Sequence, residues 1–165
     1  LNIDNPRLTC RLKGYNKFSP KRIILDKNLD IKLKSYIFKS AKKGNTILFY
    51  NSSNTKKIKV LKKKGLTLIK TKLNNEGLLD LKIVLKKLFT LGTRSLLVEG
   101  GDKISKNLIK NRLIDTFYLF QSPKILRVNK INQGFTSFGI LNGKYKKVSK
   151  ITSKLAKDNI TIYKR

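Results

Sequence analysis

Short apolar runs that alternate with helical leucine stripes constrain this chain more than any other feature of its sequence. Residues 21–26 (KRIILD), 45–50 (NTILFY), 66–70 (LTLIK) and 95–99 (SLLVE) read as strands. Residues 36–38 read as a short extended piece. Between these runs, residues 54–64 fit a short helix ended by Gly65. Residues 78–91 fit a longer one, with Leu81, Val84, Leu85 and Leu88 on one face and Gly92 as its stop. Gly100-Gly101-Asp102 leads into a third helix reaching Asn111, with Ile104, Leu108 and Ile109 on one face. Residues 116–121 (TFYLFQ) are apolar on both faces, which predicts a central strand. Residues 145–155 and 159–164 predict a closing hairpin that turns at Lys157-Asp158. The order predicts one α/β domain over residues 1–165, a mostly parallel central sheet flanked by helices with an antiparallel C-terminal hairpin. In such sheets ligands sit at the carboxyl ends of strands, which singles out Glu99 and the two glycines after it.

Composition removes several chemistries. The chain has no histidine, so Ser-His-Asp and Cys-His nucleophiles and His-ligated metals are excluded within it, and no metal is expected. Its single cysteine, Cys10, cannot form an internal disulfide and has no histidine base to activate it. No apolar run approaches membrane-spanning length, so a cytoplasmic protein without a membrane partner is expected. The net charge of +30, from 39 basic against 9 acidic residues, is the footprint of a nucleic-acid binder or of lysine drift. Only seven of the 39 are Arg, and the lysines spread through the whole chain rather than forming a stripe. Drift is the reading we adopt, with no specific nucleic-acid partner. The same field would still steer an anionic substrate or cofactor inward.

Two segments could carry chemistry. Val98-Glu99-Gly100-Gly101 ends an apolar strand and opens a helix, whose free N–H groups suit a phosphate. A strand–Gly–Gly–helix turn also occurs without any ligand, with Asp102 as the helix cap. The second segment is Asp4-Asn5-Pro6-Arg7-Leu8-Thr9-Cys10-Arg11. Its Asp-Asn-Pro favours a turn, but two arginines spaced by four are unusual in a chain that prefers lysine.

Together, DNPRLTCR, a strand ending in LD, LLVEGG before a helix, and LIDTFYLFQSPKIL (residues 113–126) resemble one family. It is the reductase domain of the bifunctional riboflavin-biosynthesis deaminase/reductase, whose fold is dihydrofolate-reductase-like. The resemblance implies NADPH-dependent reduction of the ribosyl chain of 5-amino-6-(5-phosphoribosylamino)uracil, a phosphorylated pyrimidine, to its ribitylamino product. It implies that Asp4 is the catalytic aspartate beside nicotinamide and sugar. It gives Leu8, Arg11 and Glu99 to the substrate, with Arg11 on the phosphate. The cofactor turn falls on Gly101, Asp102, Lys103, Ile104, Ser105, Lys106 and Asn107. Lys27 stands at a cofactor contact where the family has serine, and a homodimer is expected. The family's opening strand and helix, and its zinc deaminase domain, are not found here, so a longer parent protein is expected. A related pyrimidine or pterin reductase of this fold is the neighbouring alternative, and a basic nucleic-acid-binding module the distant one.

Overall fold

The computed structural model describes residues 4–122, 135–152 and 158–165, which fall into two compact units, Leu1–Arg94 and Ser95–Arg165. The first unit is a parallel sheet with helices on both faces. Strands β1 (Arg22–Leu25), β2 (Thr46–Tyr50) and β3 (Thr67–Lys70) lie in the order β1-β2-β3. Ile24 is level with Leu48, and Leu48 with Leu68. Every residue of β2 is buried, because alternate side chains feed two separate cores. Leu48 and Tyr50 join Ile24, Ile37 of helix α1 (Tyr36–Lys39) and Leu61 of α2 (Thr55–Lys63). Ile47 and Phe49 point the other way, against Val84 and Leu88 of α3 (Leu81–Thr90).

The helices begin where short polar side chains can accept from their first free N–H groups. Asn54 accepts from Lys57 N–H at 2.9 Å, and Asp80 from Lys82 N–H at 2.9 Å. The piece at 36–38 expected to be extended is helical instead, as α1. Ser35 caps it from Phe38 N–H, and the Asn5 carboxamide oxygen takes Tyr36 N–H at 2.8 Å, so a long-range partner outweighs the local preference.

At the amino end of the sheet Arg22 is buried, with no carboxylate partner among the described residues. Its guanidinium donates to Ser40 Oγ at 2.7 Å, and from two nitrogens to Thr46 Oγ1 at 2.8 and 3.1 Å. Burial pushes its pKa below the ordinary arginine value.

The second unit holds α4 (Asp102–Lys110), β4 (Thr116–Gln121), α5 (Phe138–Lys144), β5 (Lys146–Thr152) and β6 (Asn159–Lys164). Its sheet is antiparallel in the order β4-β6-β5, with a register shift between Lys147 and Ser149. Leu119, Tyr163, Ile109 and Leu141 form its core.

The α/β class, the parallel sheet and the closing hairpin are as the sequence predicts; the hairpin's turn at Lys157 lies outside the described residues. Besides α1, three elements differ. Residues 95–99 join neither sheet among the described residues and are exposed, since an apolar run becomes a strand only where a neighbour completes its ladder. Among the described residues strand β4 pairs with β6 alone, so it is an edge of its sheet, not a centre. Helix α5 was not expected, because two glycines in FGILNGK weaken its helical signal.

Candidate active site

The carboxyl ends of the three parallel strands are stitched together. Asn51 N–H donates to Lys27 O at 2.8 Å, Asn51 Nδ2 to Thr71 O at 2.7 Å, and Thr71 N–H to Tyr50 O at 2.8 Å. The Lys27 ammonium reaches across to Gly77 O at 3.1 Å, fastening the turn that follows β3. Both oxygens of Asp26, the last letter of the LD motif, are spent on the backbone N–H groups of Asp30 and Ile31 at 2.8 Å. Sequence reasoning missed Asn51; its signal is an asparagine directly after the apolar run ILFY, where a side-chain amide can bond the next loop.

The loop bearing Asp4, Leu8 and Arg11 is anchored in the middle and open at its ends. Leu8 packs against the core on the α1 side with φ of 51°, a left-handed conformation that costs a leucine about 1–2 kcal/mol. Asn5 bonds α1, the Arg7 guanidinium lies 5.3 Å from the Tyr36 ring centroid, and Cys10 N–H donates to Ser19 Oγ. Asp4 and Arg11 are exposed. Cys10 is half-buried in this packing.

In the second unit Gly101, not Asp102, occupies the cap position of α4, in extended backbone and with no side-chain cap bond. Among the described residues no side chain caps the first-turn N–H groups, and a Cβ at Gly101 would meet nothing within 4 Å. Gly100 differs: a Cβ there would fall 2.0 Å from Ile104 Cγ2, so the chain itself requires that glycine. Glu99 is exposed beside them, as are Lys103 and Lys106, while Ile104, Ser105 and Asn107 are half-buried.

The Asp102 carboxylate is engaged by the residues that enter α5. It accepts from Thr136 N–H at 2.9 Å, Thr136 Oγ1 at 2.6 Å and Ser137 Oγ at 3.2 Å. The Thr136 hydroxyl, then its amide, then Ser137 and the charge of Lys106 hold this carboxyl below its ordinary pKa, against a smaller opposing effect of burial. Neither Thr136 nor Ser137 was visible from sequence, since they meet Asp102 from 34 and 35 residues away.

The pattern of the RibD C-terminal domain family matches residues 1–156. The chain belongs to that family. The riboflavin biosynthesis protein RibD of Aquifex aeolicus (strain VF5) is 35% identical over 123 residues, 74% of this chain and 32% of that protein. The 2,5-diamino-6-ribosylamino-4(3H)-pyrimidinone 5′-phosphate reductase of the same organism is 28% identical over 76% of this chain and 54% of its own length. Among solved structures, Acinetobacter baumannii RibD superposes with a TM-score of 0.72 at 20% identity, over 99% of this chain and 44% of that one. A pyrimidine reductase-like protein of Corynebacterium diphtheriae gives 0.63 at 17% identity, over 88% of this chain and 61% of that one. These likenesses show the dihydrofolate-reductase-like fold. The chain spans about a third of the length of the curated RibD relatives it matches.

Proposed function

We infer that this RibD C-terminal domain is a reductase of riboflavin synthesis. It reduces the ribosyl chain of 5-amino-6-(5-phosphoribosylamino)uracil to the ribitylamino product with NADPH. The observation that carries the reading is the family match over residues 1–156, which takes in DNPRLTCR and the Glu99-Gly100-Gly101 turn. The residues present fit the cofactor: α4 opens with uncapped N–H groups, no side chain fills the space at Gly101, and Lys103 and Lys106 stand on its first turns. NADPH, when bound, supplies the hydride that reduces C1′ of the ring-opened sugar imine.

The chain's own residues bind and orient. Arg11 pairs the sugar phosphate through its guanidinium fork, Glu99 accepts from the pyrimidine, and Leu8 fixes the loop that carries Arg11. Asp4 holds the sugar next to the hydride donor. Lys27 keeps its cofactor assignment, with its ammonium able to exchange the Gly77 carbonyl for an anion. The same reading includes a homodimer and a cytoplasmic location; among the described residues no helix is long and apolar enough to cross a membrane. A second reading, reduction of the 2,5-diamino analogue, draws support from the Aquifex reductase.

NADPH consumption with each of the two phosphorylated pyrimidines decides between these readings, and none with either overturns both. On the favoured substrate Arg11→Ala should lower kcat/KM about tenfold, equivalent to roughly 1.4 kcal/mol, while a dephosphorylated substrate loses little. Arg11→Lys should recover part of the loss, because the charge stays and the fork goes. Equal losses on both substrates would remove Arg11 from the phosphate.

A further inference from the structure

Asp102 was expected among the cofactor residues, yet its carboxylate is occupied elsewhere. An aspartate in a first helical turn is favourable for the dipole alone, and that accounts for its presence but not for its three bonds. Two observations go further. Ser137 sits at the cap position of α5 but makes no cap bond to that helix; its hydroxyl donates to Asp102 instead. Thr136 commits both its backbone and its side-chain donor to the same carboxylate. One anion therefore joins the amino ends of α4 and α5, neither of which is capped by its own side chain. Asp102 is also one of only nine acidic residues, and it bonds two hydroxyls and an amide rather than closing an ion pair.

We propose that Asp102 is a positioning residue for the cofactor turn: it fastens the segment entering α5 to the first turn of α4, and does not itself touch the cofactor. This rests on the reductase reading above. With the carboxylate held by Thr136 and Ser137, the first-turn N–H groups are held in one direction. Without the fastening, α4 keeps its hydrogen bonds from Ser105 onward, but its opening turn frays. Preorganised donors lose affinity when they must first be ordered.

The test is direct NADPH binding to the purified protein, followed by fluorescence, with amide exchange at Thr136 as an independent readout. Thr136→Val removes the hydroxyl at nearly constant shape, far in sequence from the cofactor turn. Thr136→Val and Asp102→Ala should each weaken NADPH binding by about threefold to tenfold. The double variant should be no weaker than the worse single one, because both remove the same fastening. Asp102→Asn, which keeps an acceptor oxygen, should recover part of the affinity and guards against a misfolded alanine variant. Thr136 should lose its amide protection in Asp102→Ala. Weakening by Asp102→Ala but not by Thr136→Val would put Asp102 on the cofactor and overturn the proposal. Lost amide protection with unchanged affinity would overturn it too, leaving a purely structural fastening. If the parent itself binds no NADPH, the reductase reading fails first and the proposal with it, an outcome recognised before any variant is made.

Discussion

The two units solve the covering of a sheet differently. In the first, the two crossover helices α1 and α2 cover one face of the parallel sheet and α3, which follows β3, covers the other, so cover for both faces arrives with the chain itself. Phe49 ends wholly buried between β1 and β3. In the second, α4 and α5 cover one face of the antiparallel sheet. The other face presents Tyr118, Phe120 and Ile151, each more than half exposed. Two phenylalanines of similar sequence surroundings thus have opposite fates. An apolar strand states a need for cover; its connections decide whether the need is met.

The largest expected effect tests that contrast directly. Phe49→Ala should cost about 3–5 kcal/mol of unfolding free energy, through lost transfer and an unfilled cavity. Phe120→Ala should stay within about 0.5 kcal/mol. Denaturant titration of both variants measures the pair. A cost for Phe120→Ala near that of Phe49→Ala would show that its face is covered in solution and would break the comparison.

The contrast also explains what could be read beforehand. β1, β2, β3, α2 and α3 were legible because strand pattern, helix stripe and the stops at Gly65 and Gly92 agree locally. Residues 95–99 carry the same apolar signal, with Leu97 82% exposed, but the signal names no neighbour. The central placement of β4 failed for that reason, since TFYLFQ is apolar on both faces while its sheet places it at an edge. The candidate site divides likewise. DNPRLTCR and VEGG were visible as motifs, whereas the bonds of Asn51 to Thr71 and of Asp102 to Thr136 depend on loops brought together by folding.

A smaller effect sharpens the comparison within the first unit. Arg22 is held by neutral oxygens alone, so replacing it does not strand a buried counter-ion. Arg22→Met should cost about 1–3 kcal/mol, the range for leaving buried acceptors without a donor. Arg22→Lys should lie between the two, as an ammonium cannot span Ser40 and Thr46 as the fork does. Unfolding midpoints of the three proteins check the order. A methionine variant as stable as the parent would mean that packing, not hydrogen bonding, holds the amino end of the sheet.

The smallest expected effect concerns the helix starts, where the units differ again. Asn54 and Asp80 cap α2 and α3, whereas Gly101 leaves α4 uncapped. Gly101 already has the extended backbone of a cap residue and open space for a side chain, so Gly101→Asn meets no strain. The new carboxamide oxygen would accept from the N–H groups of Lys103 or Ile104, raising unfolding free energy by a few tenths of a kcal/mol, roughly the measured advantage of asparagine over glycine at a cap. Those are the same donors assigned to the cofactor. NADPH affinity should therefore fall by about tenfold while the free protein becomes slightly more stable. A more stable variant with unchanged affinity would place the cofactor phosphate away from α4. A less stable one would mean that the open start of α4 is already satisfied by another part of the chain.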